Sequence, residues 1–123
     1  MIHEELVSLE TAKLAKEKGF PLQKVIKQDG RAFFYELPQS HPDWANCDAW
    51  YLPTQSLLQR WLREEKGYYV YPFFDNESKR WTWVCRELTG DMWIQLLDFE
   101  ERYFDTYELA LEDAELYCLK NLL

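Results

Sequence analysis

The stretch Tyr68–Leu88, YYVYPFFDNESKRWTWVCREL, decides the fold: two runs rich in aromatic and β-branched residues flank the polar DNESK, the pattern of a β-hairpin. Pro72 cannot donate to a ladder, which puts the first strand at a sheet edge or a bulge. Alternation along the second strand sends Trp81, Trp83 and Cys85 to one face and Thr82, Val84 and Arg86 to the other. The mixed second face implies partial exposure.

Helical patterns surround this hairpin. Upstream, PTQSLLQRWLREEKG (residues 53–67) has Thr54 as a cap and Gly67 as a stop, with Leu57, Leu58, Trp61 and Leu62 on one buried arc and Gln55, Ser56, Gln59, Arg60 and Arg63 opposite. Downstream, DTYELALEDAELYCLKNLL places Tyr107, Ala110, Leu111, Ala114, Cys118 and Leu122 at helical spacing, capped by Asp105 or Thr106. At the amino end, SLETAKLAKEKGF gives a helix from Leu9 to Lys18, capped by Ser8, with Val7 stapled onto Ala12 and Gly19 ending it. A strand is expected over Ala32–Leu37 and a short one over Trp50–Leu52, within a loop punctuated by Pro38, Pro42 and Pro53. The segment TGDMWIQLLDFEERYF has no clean period and reads as an irregular excursion with a strand around Trp93–Leu97. The expected fold is therefore α+β over residues 1–123 as a single domain. Its small antiparallel sheet, about four strands in hairpins, packs with three helices in the order α-β-β-α-β-β-α.

Composition narrows the function. The 123 residues include seven Phe, eight Tyr and six Trp, more large rings than so small an interior can hold, so part of the aromatic surface is expected to be open. Net charge is −8, and it is segregated: residues 91–123 carry nine acids against Arg102 and Lys120, while the first 90 carry 13 acids and 12 bases. That acidic third opposes phosphate binding. There is no basic, apolar leader and no run of about 20 apolar residues, which excludes a membrane span and implies a cytoplasmic protein. The odd, dispersed Cys47, Cys85 and Cys118 fit reduced thiols.

The stretches SLETAKLAKEKGF, PTQSLLQRWLRE and FDTYELALEDAELYCLKNL cover a little over a third of the chain. Together they resemble a family of small bacterial and prophage proteins that has no assigned activity. The resemblance implies an α+β fold and a bacterial or phage origin, and it transfers no catalytic or binding residue. This chain departs from the family by a longer piece between the second hairpin strand and the last helix, which leaves the path of residues 89–104 open.

Several candidate sites can be weighed. Gln and Arg on the second helix suit base edges, but a helix-turn-helix needs a supporting helix upstream, and HPDWANCDAWYLP is rich in breakers there. SKRWTWVCR interleaves Lys79, Arg80 and Arg86 with Trp81 and Trp83, so an RNA or single-stranded DNA surface over Lys79–Arg86 is the alternative reading. His41, Asp43, Cys47 and Asp48 cluster in sequence without zinc spacing, so no metal site is expected. Two histidines, dispersed cysteines and four glycines offer no nucleophilic pair or phosphate loop, so no enzyme activity, catalytic residue or cofactor is expected. The leading expectation is a non-enzymatic protein-binding module with an aromatic and acidic surface built from Trp81, Trp83, Trp93, Glu108, Glu112 and Glu115. The three glutamates, spaced by four and three, are expected to form one exposed stripe that steers a basic partner protein.

Overall fold

Helix α1, Leu9–Glu17, begins where Ser8 stops being extended and its hydroxyl accepts from the Thr11 amide at 3.2 Å. It ends at Gly19, whose φ of 102° is a left-handed conformation that costs a side chain dearly and a glycine little. Helices α2, Gln55–Glu65, and α3, Tyr107–Asn121, start the same way, on the hydroxyls of Thr54 and Thr106. All three starts follow the expected capping chemistry, with Thr106 rather than Asp105 capping α3. The computed structural model describes residues 5–21, 24–25, 34–36, 49–95 and 102–123.

The fold is α+β, with six described strands in place of the four expected and the order α-βββ-α-βββ-α. Three short strands, β1 (Lys24–Val25), β2 (Phe34–Glu36) and β3 (Ala49–Tyr51), form an antiparallel sheet with β3 in the middle. Strand β1 was not anticipated, because two residues are too few to show a period. Residues 41–48, including His41, Asp43, Cys47 and Asp48, lie outside the described residues.

The second sheet is the anticipated hairpin extended by one strand, in the order β4 (Tyr68–Asp75), β5 (Arg80–Thr89), β6 (Met92–Gln95), all antiparallel. Pro72 sits on the edge strand β4, where a missing donor is tolerated. Strand β6 replaces part of the irregular excursion. Thr89 pairs with Met92 across the two-residue turn Gly90-Asp91, in which Gly90 takes φ 63°. Farther along, Phe104 makes a bridge to Trp81, so the chain returns beside β5 on the same side as β6. Residues 96–101 lie outside the described residues.

Register and burial fix the two faces of this sheet. Val70, Trp83 and Cys85 form one core cluster with Leu58 and Leu62 of α2 and with Ala110, Leu111, Ala114, Cys118 and Leu119 of α3. Helices α2 and α3 therefore cover the inner face. Helix α1 packs beside α3, with Ala12 and Ala15 fully buried and Val7 joined to the same cluster as the staple requires. Phase is correct for Leu58 and Leu62, but Leu57 is 52% exposed although the arc placed it inside. Tyr107, the first residue of α3, is 39% exposed and packs edge-on to Trp81.

Candidate interaction surface

On β4 and β5 the residues that alternate with the core point away from the helices: Tyr69, Tyr71 and Phe73 on β4 with Arg86, Val84 and Thr82 opposite them. Leu88 and Trp93 are register partners on the same face, as are Arg86 and Gln95. Val84 is buried there, while Tyr69, Tyr71 and Trp93 are half-buried and Phe73 and Leu88 are exposed. The rings form a row across the strands. Tyr69 lies 4.6 Å from Tyr71 and 6.0 Å from Trp93, centroid to centroid, the second contact edge-on. Edge-on and tilted pairs set the positive rim of one ring toward the negative face of another.

Two cations accompany the row. Arg86 Nε donates to Tyr71 Oη at 2.9 Å, and the Arg63 guanidinium lies 5.5 Å from the Tyr69 centroid. Among the described residues neither forms an ion pair, whereas Arg60, Arg80, Arg102 and Lys120 pair with Glu64, Asp105, Asp113 and Glu10. A guanidinium held by rings keeps donors free for a carboxylate.

The residues expected to form the surface divide into three places. Trp93 is on the outer row. Trp83 is in the core, where its indole N–H donates to Asp113 Oδ2 at 2.9 Å, and Trp81 is half-buried on the same inner face, edge-on to Phe74 and Tyr107. The two rings of the basic strand thus face the helices. Glu108, Glu112 and Glu115 do not form an exposed stripe: Glu108 is exposed, Glu112 half-buried and Glu115 fully buried. Sequence reasoning missed Tyr69 and Tyr71, and it placed Arg63 on the polar face of α2 without linking it to the sheet. The signal was present, because Tyr69 and Tyr71 share the parity opposite Val70 on a strand already placed at an edge.

Glu112 has a structural task. Its carboxylate accepts from the Ser8 backbone N–H at 2.9 Å and from the hydroxyls of Ser8 and Thr11, so α3 caps the start of α1. The starts of the three helices meet around a cleft of about 510 Å³ lined by Glu5, Glu108, Glu112, Ser8, Gln55 and Thr106, among others. Backbone hydrogen bonds from Val7 to Pro53 and from Gln55 to Glu5 hold this junction together. Gln55, read as part of an open polar face, is only 4% exposed, and its amide donates to the Glu108 carbonyl at 2.8 Å. Acids gather here because unpaired amides and helix dipoles make a helix start positive.

Glu115 is different: it is fully buried, and among the described residues neither carboxylate oxygen has a hydrogen-bond partner. Burial, and then the nearby charge of Glu112, hold its carboxyl well above the usual carboxylate range. It belongs to the core of α3 rather than to any surface. Cys85 and Cys118 are also fully buried; the hydrogen bond that the Cys118 thiol donates to Cys85, together with burial, pushes Cys118 up, away from the thiolate needed of a nucleophile, while the same contact lowers Cys85. Among the described residues no three His, Cys, Asp or Glu side chains converge as metal ligands, and no helix is long and apolar enough to cross a membrane.

Comparisons of the chain with protein-family models, with curated proteins and with solved structures found no match in any of the three.

Proposed function

We propose that the protein is a non-enzymatic protein-binding module, an accessory factor of bacterial or phage origin, whose contact surface is the outer face of the β4-β5-β6 sheet. The observation that carries this reading is the row Trp93, Tyr69 and Tyr71 with Arg63 and Arg86 beside it, on a face turned away from the described helices. Trp, Tyr and Arg are the residue types that dominate binding energy at protein interfaces, because each combines a large apolar area with a polar handle. The proposal moves the surface from Trp81, Trp83 and the three glutamates to this row and keeps Trp93. For the nucleic-acid alternative, two ring-held arginines on a chain of net charge −8 are few. Tight phosphate binding draws on several neutralised charges, about six to ten in strongly bound cases.

The test uses affinity capture from cells of the source organism with the whole protein, Tyr69→Ala and Trp93→Ala. Both variants are expected to keep the far-ultraviolet circular dichroism of the parent and to lose the captured partner. Undiminished capture by both variants would remove the outer face from consideration.

A further inference from the structure

We infer that the outer face and its edge strand β6 receive an extended, acidic segment of a partner protein, which adds as a fourth strand beside β6 and sets carboxylates toward Arg86. This rests on the protein-binding reading above and names the chemistry of the partner.

The two edges of the sheet are unlike. On β4, Pro72 removes one donor and Gln59 of α2 donates to the Val70 carbonyl at 2.7 Å, so that edge is interrupted and attended by a helix. On β6, the sequence Met92-Trp93-Ile94-Gln95 has neither charge nor proline, and among the described residues no strand pairs with its far side. Soluble proteins usually blunt such an edge with lysine, proline or a bulge, because its free backbone groups invite another strand. Met92 and Ile94 are 68% and 47% exposed, an unusual outlay of large apolar side chains on four residues.

Alternation along β6 specifies what an added strand should carry. On one face it meets Met92 and Ile94, and on the other Trp93, Gln95 and, one strand farther in, Arg86 opposite Gln95. Two strand spacings are about 10 Å, a span that an arginine and a glutamate side chain bridge together. The β4, β5 and β6 positions of the outer face from Tyr69 to Phe73, Thr82 to Leu88 and Trp93 to Gln95 include Arg86 and no acid, and Arg63 adds a second positive charge over Tyr69. The complementary segment therefore alternates apolar residues with glutamate or aspartate. Main-chain pairing supplies affinity, and the alternate side chains supply selectivity.

The test measures fluorescence anisotropy on the full chain with three labelled probes: an eight-residue peptide alternating valine and glutamate, its counterpart with lysine for glutamate, and an oligothymidylate. The acidic peptide is expected to bind, more weakly as salt rises, and the basic peptide and oligonucleotide are not. Arg86→Gln should weaken the acidic peptide by at least about tenfold, the cost of one charge-assisted hydrogen bond. Gln95→Glu, which places a carboxylate opposite Arg86 without touching the core, should weaken it as well, while Arg60→Gln should not. Far-ultraviolet circular dichroism confirms that each variant is folded. Equal binding of the acidic and basic peptides, no peptide binding, binding of the oligonucleotide alone, or indifference to both Arg86→Gln and Gln95→Glu overturns the inference. If the peptides fail while Trp93→Ala still loses the cellular partner, the acidic-strand inference falls and the protein-binding reading stands.

Discussion

Glu115 makes this protein's stability depend on pH in a direction opposite to that of an ordinary surface carboxylate. The carboxyl is fully buried without a partner among the described residues, and its pKa in the folded chain is raised by burial and then by Glu112. In the unfolded chain it titrates at about 4.3. Above that value the unfolded state releases the proton while the folded state holds it, so the folded state binds more protons and stability falls as pH rises. Each pH unit in that window costs about 1.4 kcal/mol, and the ceiling at pH 7 is about 4 kcal/mol, reached by a carboxyl that keeps its proton throughout. Glu115→Gln retains the shape and one unpaired polar group but cannot ionise. Urea unfolding of both proteins at pH 5, 6 and 7 is expected to show a stabilising difference of about 1 kcal/mol or less at pH 5 that widens at each step. Taking the difference cancels every other titrating group to first order. Parallel pH dependences, or a parent that gains on the variant as pH rises, would refute the reasoning.

Two further outcomes test the packing of α2. Leu58→Ala should cost about 2–5 kcal/mol and Leu57→Ala less than about 0.5 by chemical denaturation, since the first is fully buried and the second 52% exposed. Gln59→Ala should cost about 1 kcal/mol in the same assay, because it removes the hydrogen bond to the Val70 carbonyl; a loss below about 0.3 would mean that water replaces the amide at no cost.

Capping and periodicity were legible where the residue types left no choice. Ser8, Thr54 and Thr106 announce helix starts because a short hydroxyl side chain can reach the third amide, and the structure uses all three. The Tyr68–Leu88 hairpin was legible from its alternation, which put Trp83 and Cys85 inside. Glu115 was misplaced because its type outweighed its position. Its neighbours at −4, +3 and +4 are Leu111, Cys118 and Leu119, all buried, so helical spacing alone puts it in the core. Strand β6 was partly visible, yet the Gly90-Asp91 dipeptide, which closes a two-residue hairpin, marks it better than the period of its four residues does. The candidate surface was less legible than the fold, since it depends on which rings of neighbouring strands line up, and that is set by register.

Charge in this molecule is sorted by two different causes, and separating them shows where function can be sought. The acids around the cleft answer a need of the fold: Glu108 stands in the first turn of α3, and Glu112 binds Ser8 and Thr11 at the start of α1. Each such placement is worth about 0.3–1 kcal/mol to its helix, so selection for stability alone gathers them there. Arg63, in the last turn of α2, has part of the same explanation. Arg86 has none of it. It stands in the middle of a strand with Tyr69 and Gln95 as its register partners, held by a tyrosine hydroxyl rather than a carboxylate. Threonine at that position would serve a pleated, half-buried surface at lower entropic cost. The ring row around it and the uncharged edge of β6 adjoin it on the same sheet, and that combination is what the proposed anionic strand would use.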